Sequence, residues 1–189
     1  SISRSRLIHN LNVFQQAHPH TKIAPVLKSN AYGHGLVEVA RILDGEKIAF
    51  LALDSLHEAV TLRSAGVRSP ILIIGYTPVS NILHARARDV AFTVTSLSQL
   101  QELSAVHGSF RIHLKLDTGM HRQGLVESEW QAAHEILAVH PHIVLEGVCS
   151  HLADADGAAD VVTNAQCGVW ERAVLFWKHN CPQIRHLHI

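Results

Sequence analysis

Short apolar runs alternate along the chain with longer stretches in which apolar residues recur at helical spacing. Runs bounded by turn residues predict strands at 22–28, 48–53, 71–75, 90–94, 110–116, 143–149 and 184–189. Between them, Leu36, Val39, Ala40, Ile42 and Leu43 fall on one stripe of a predicted helix. Val126, Trp130, Ala133 and Leu137 recur in the same way, so one face packs on a sheet while Glu127, Glu129 and Gln131 face water. A longer helix carries Val162, Gln166, Trp170, Ala173 and Trp177 on its stripe. At the start, Leu7, Leu11 and Phe14 predict one more helix, and residues 1–6 read either as the end of a strand or as a frayed terminus.

This rhythm of strand and helix is the signature of βα units and a parallel sheet. No linker, low-complexity tract or charge block interrupts it, so residues 1–189 are expected to form one α/β domain. A closed TIM-type (β/α)8 barrel needs eight strands, and about seven are visible. The last run, IRHLHI, is a strand without a following turn, so the barrel is expected to be truncated and incomplete. Unpaired backbone on its first and last strands would then favour self-association or reduced stability.

Composition narrows the function. A hydrophobic content of 47% is enough for a substantial core. Sixteen Lys plus Arg balance sixteen Asp plus Glu, which removes the electrostatic footprint expected of a partner to nucleic acid or anionic membrane. No segment approaches the roughly 20 apolar residues of a membrane span, and SISRSRLIHN lacks the apolar centre of a signal peptide. A cytoplasmic location without membrane contact is expected. Cys149, Cys167 and Cys181 have neither the even count nor the spacing of a disulfide framework or zinc knuckle. Sixteen histidines stand out, and His18-Pro19-His20 and His186-Leu187-His188 can each be read as a metal pair. Neither has a Cys or carboxylate companion at recognisable spacing, so no metal is expected. His186 and His188 share one strand face and suit a polar barrel rim equally well.

The candidate chemistry centres on Lys28. Residues 22–27 (KIAPVL) read as a buried strand, and Gly33 and Gly35 let the backbone turn sharply before the next helix. Lys28 therefore sits at the carboxyl end of a strand, where α/β folds place their ligands. Burial there favours a neutral amine able to condense with an aldehyde. A lysine in such a place reads equally as a snorkelling side chain that ends a strand in water.

The whole string Val26-Leu27-Lys28-Ser29-Asn30-Ala31-Tyr32-Gly33-His34-Gly35 resembles the cofactor-attachment signature of alanine racemases. Residues 115–124 (KLDTGMHRQG) resemble the family's second landmark, and residues 150–156 (SHLADAD) its third. Ser29, His121 and Gln123 depart from its commoner residues without removing a reactive group. The resemblance covers most of an amino-terminal barrel domain and implies pyridoxal 5'-phosphate as cofactor. It implies that Lys28 holds the cofactor as an internal aldimine and then acts as one of two catalytic bases, and that Tyr32 hydrogen-bonds its phosphate.

Arg122 matches a residue that contacts the cofactor's phenolic oxygen and the substrate carboxylate, a task that suits a planar, permanently charged fork. Lys115 matches a lysine that orients this arginine and is carbamylated in some relatives. His151 matches a histidine that hydrogen-bonds the arginine facing the pyridine nitrogen, expected beyond Ile189. The implied reaction interconverts L- and D-alanine, supplies peptidoglycan precursor, and needs a homodimer, because the second base is a tyrosine from a partner subunit. Racemisation requires two positioned acid/base groups, so this chain by itself is expected to be inactive. A racemase for serine or another amino acid, a non-catalytic PLP-binding barrel and a fragment that binds nothing stay open.

Overall fold

The computed structural model describes residues 2–85, 89–156 and 160–189. They fall into two compact units, Ser1–Ala91 and Phe92–Ile189.

In the first unit the helix Arg4–Ala17 begins where Ser3 Oγ accepts the Arg6 N–H at 3.4 Å. A serine can satisfy an orphan N–H of the first turn, so residues 2–6 are neither strand end nor frayed terminus. Of the predicted stripe only Leu11 is buried, while Phe14 stays 59% exposed. The helix Leu36–Leu43 buries Leu36, Val39, Ala40 and Leu43. β1, Leu51–Leu53, and β2, Ile71–Ile73, pair in parallel, with Leu51 opposite Ile71. Phe50, Ala52, Leu72 and Ala91 pack into one buried cluster, as the continuous apolar runs of a parallel sheet require.

The predicted first strand, 22–28, is only partly realised. Val26 forms a parallel bridge with Ala52, the Leu27 N–H donates to the Ala52 carbonyl at 2.8 Å, and the Ala52 N–H donates to Pro25 at 2.9 Å. Pro25 has no N–H to give, which interrupts the ladder. Leu27 is buried but Val26 is 40% exposed, so the expectation of a buried strand holds only at its end.

β3, Val90–Val94, is buried throughout. In the second unit β4, Phe110–Lys115, β5, Ile143–Cys149, and β6, His186–His188, form a parallel ladder in that order. A bulge between Ile112 and His113 skips Glu146, so His113 pairs with Gly147 and Lys115 with Cys149. The helix Trp130–Val139 buries Trp130, Ala133 and Leu137. Val126 is 43% exposed instead of joining that stripe, because the 3-10 turn Glu127–Glu129 changes the angular phase ahead of the helix. The helix Asp160–Asn180 buries Gln166, Ala173 and Trp177 but leaves Val162 45% exposed.

Six strands and the bridged segment at Val26 thus match the seven expected segments, with shorter bounds. Among the described residues no helix is long and apolar enough to cross a membrane, and no group of three His, Cys, Asp or Glu side chains has the arrangement to hold a metal ion.

Candidate functional site

Lys28 follows the bridged segment at its carboxyl end and is half-buried. The backbone then does something rare. Ser29, Asn30, Ala31 and Tyr32 all have positive φ, between 51° and 57°. For an L-residue this left-handed conformation costs roughly 1–2 kcal/mol each, and such strain persists only where the surroundings over-determine it. Local hydrogen bonds do so here. The Ala31 N–H donates to the Leu27 carbonyl at 2.8 Å, and the Gly33 N–H donates to Ser29 and Asn30. The Asn30 carboxamide oxygen accepts the Leu36 N–H at 2.8 Å and so caps the next helix. Asparagine tolerates the left-handed region better than other residues, and here its side chain gains a cap as well.

Ala31 is buried under this turn, while Tyr32 is 61% exposed. The Tyr32 ring is therefore not a core aromatic. The turn presents a sheltered but reachable primary amine and, four residues on, a phenol open to solvent.

The second unit gathers Lys115, Asp117 and Arg122. Lys115 is 8% exposed. Burial depresses its pKa; Cys149 and Asp117 oppose the depression and the Arg122 guanidinium adds to it. The Cys149 thiol beside it is pushed up to about 11 by burial. It stays protonated near neutrality. Arg122 itself is exposed. The turn before it is organised by Asp117, whose Oδ1 accepts the Gly119 N–H at 2.9 Å and the His121 N–H at 3.0 Å. Burial alone would raise the Asp117 carboxyl, but these N–H groups and the His121 ring outweigh it and hold its pKa below the ordinary value. Gly124, at φ 128°, closes the turn; a Cβ there would lie 2.6 Å from the Leu116 carbonyl carbon, so only glycine fits.

His151 follows β5 and is exposed. Its carbonyl accepts Gln166 Nε2 at 3.1 Å. The same Gln166 donates to Thr118 Oγ1 at 3.2 Å and accepts the Ala153 N–H at 2.8 Å, while Thr118 and Ser150 hydroxyls lie 2.8 Å apart. Gln166, read from the sequence as part of an apolar stripe, is a buried polar clamp on the loops after β4 and β5. An amide in that stripe was the available signal. Lys115, Asp117 and Arg122 are thus brought together, and His151 is joined to the Thr118 turn through Gln166.

Comparison with known proteins then fixes the family. The family model described as "Alanine racemase, N-terminal domain" matches residues 2–189. The chain is 36% identical over 172 residues to the alanine racemase of Staphylococcus saprophyticus, which covers 88% of this chain and 45% of that protein. It is 37% identical over 200 residues to that of Sorangium cellulosum, covering 98% and 52%. Thus it spans about half the length of the curated relatives it matches. A crystal structure of the Bacillus anthracis alanine racemase with bound L-Ala-P superposes with a TM-score of 0.87 at 30% identity, covering 98% of this chain and 49% of that one. The fold is therefore an incomplete TIM-type (β/α)8 barrel, and the chain belongs to the alanine racemase N-terminal domain family.

Proposed function

We propose that this protein racemises alanine with pyridoxal 5'-phosphate attached through Lys28. The observation that carries the reading is the half-buried Lys28 at the end of a bridged strand, followed by four left-handed residues. A strained turn of this kind fixes where the amine points. The cofactor, when bound, supplies an electron sink for the carbanion at the substrate's α-carbon.

Five side chains of this chain take the other roles, save the second acid/base group. Lys28 Nζ is the attachment point and moves a proton at one face of the α-carbon. The Tyr32 hydroxyl donates to the phosphate. Arg122 offers its fork to the substrate carboxylate, with Lys115 steadying it from the buried layer below. His151 positions the group that faces the pyridine nitrogen. Racemisation needs an acid/base group on each face of the α-carbon, and we assign the second to a partner subunit of a homodimer. This chain alone is expected to form no D-alanine. The names of the relatives, which are alanine racemases, support alanine as the substrate. The product is a peptidoglycan precursor, and we place the reaction in the cytoplasm.

Adding pyridoxal phosphate to the chain tests the central role. A visible-range band that persists after removal of free cofactor is expected, together with its complete loss in Lys28→Ala. An equal band in the variant, or none in the original, overturns the assignment.

A further inference from the structure

Beneath the strand ends of the second unit lies a histidine arrangement that none of the roles above uses. His113 on β4 and His188 on β6 belong to strands that are not neighbours; β5 runs between them. Two strand spacings put their backbones roughly 10 Å apart, yet His113 Nδ1 and His188 Nε2 are separated by 2.8 Å. Two features make this possible. The bulge between Ile112 and His113 places His113 opposite Gly147. Gly147 then leaves open the space the rings occupy, since a Cβ there would come within 2.7 Å of the His113 ring and 2.9 Å of the His186 carbonyl. The His113 ring also stacks on His186, with centroids 5.5 Å apart and planes at 19°.

A contact of 2.8 Å between two imidazole nitrogens holds one hydrogen. If both nitrogens carried one, the donors would oppose each other. The two rings therefore cannot choose tautomers independently: when the His113 nitrogen donates, the His188 nitrogen is bare, and the reverse. Among the described residues, the charged or titratable groups around the pair include Arg111 and Lys115 on β4, Cys149 on β5 and His186 on β6, with Arg111 itself 3.8 Å from Glu146 of β5. The positive neighbours and burial both oppose a charged ring. His113 is held down to about 2 and His188 to about 4, with burial the largest cause for each.

His188 lies in register with Cys149, which is itself in register with Lys115. The Ser150 N–H donates to the His188 carbonyl at 3.0 Å, immediately before His151. We propose that His113 is a positioning residue, which holds the His188 ring in place across Gly147 and sets its tautomer through the one hydrogen the two nitrogens share. What that placement serves, an ordered strand end beside Ser150 and His151, rests on the proposed function; the pairing itself does not.

Nitrogen-15 NMR of the histidines in the unliganded chain is the test. The original chain should show His113 and His188 with one hydrogen shared between Nδ1 and Nε2 and no protonation of either ring above pH 5. In His113→Phe, which keeps a ring against His186 and removes the nitrogen, His188 should become a mixture of tautomers. A His188 that keeps a single tautomer in the variant overturns the proposal. So does the absence of a hydrogen shared between the two rings in the original chain, a result that needs no variant to fold. Failure of the band in the original chain sinks the cofactor reading alone, because the NMR result is obtained without cofactor.

Discussion

The two units place polar groups at strand ends by opposite means. In the first, the backbone is bent: Ser29 to Tyr32 take left-handed angles, and Lys28 and Tyr32 are carried on a turn with one buried residue, Ala31. In the second, β4 to β6 stay extended, and burial sets the chemistry. Lys115 and His113 are enclosed, and the clamp Gln166 is 2% exposed. The difference teaches that position and protonation are controlled separately here. Strain fixes where a half-exposed amine points, while enclosure fixes which groups carry charge.

Acid should separate the units most strongly. The folded pKa values of His113 and His188, about 2 and about 4, lie below the ordinary 6.5, so the unfolded chain binds more protons on the acid side. Their contribution to stability is complete above pH 6.5 and is lost as the pH falls through about 4. Both shifts act in the same direction, so the two losses reinforce each other. All three tryptophans lie in the second unit, and both tyrosines, Tyr32 and Tyr76, in the first. Tryptophan fluorescence should therefore report earlier acid loss, or lower denaturant midpoints at pH 5 than at pH 7, ahead of any tyrosine change. A tryptophan midpoint unaltered between these pH values would break the contrast.

Next in size is Gln166→Leu. The side chain keeps much of its volume but abandons the Ala153 N–H, the His151 carbonyl and Thr118. A buried group left unpaired costs about 1–3 kcal/mol, so urea unfolding followed by tryptophan emission should show a loss of about that size or more. The smallest expected effect tests the first unit. Asn30→Ala removes the cap on Leu36 and puts a less tolerant residue at φ 57°. A cap is worth about 1 kcal/mol, and the variant should also weaken the Lys28-dependent band. Full cofactor uptake with unchanged stability would show that the left-handed turn does not depend on its asparagine.

How much of this was legible follows the range of the interactions. The position of β3 was read from its apolar run, because a parallel strand buried on both faces leaves that mark on adjacent residues. Lys28 was legible as the end of such a run before two glycines. The Val26 exposure, the misplaced Val126 and Val162, and the role of Gln166 were not, since each depends on what a distant segment covers.

By itself the sequence determined the alternation of strands and helices and the family, because these are set by local periodicity and by short motifs. Only the tertiary structure decided that Ser29 to Tyr32 run left-handed and that His113 meets His188 across Gly147. No local propensity favours four consecutive L-residues in that region. The register of β4 against β5, with its bulge, is a compromise among side chains far apart in the chain. A contact that hangs on one residue of register becomes visible only when the strands have been laid side by side.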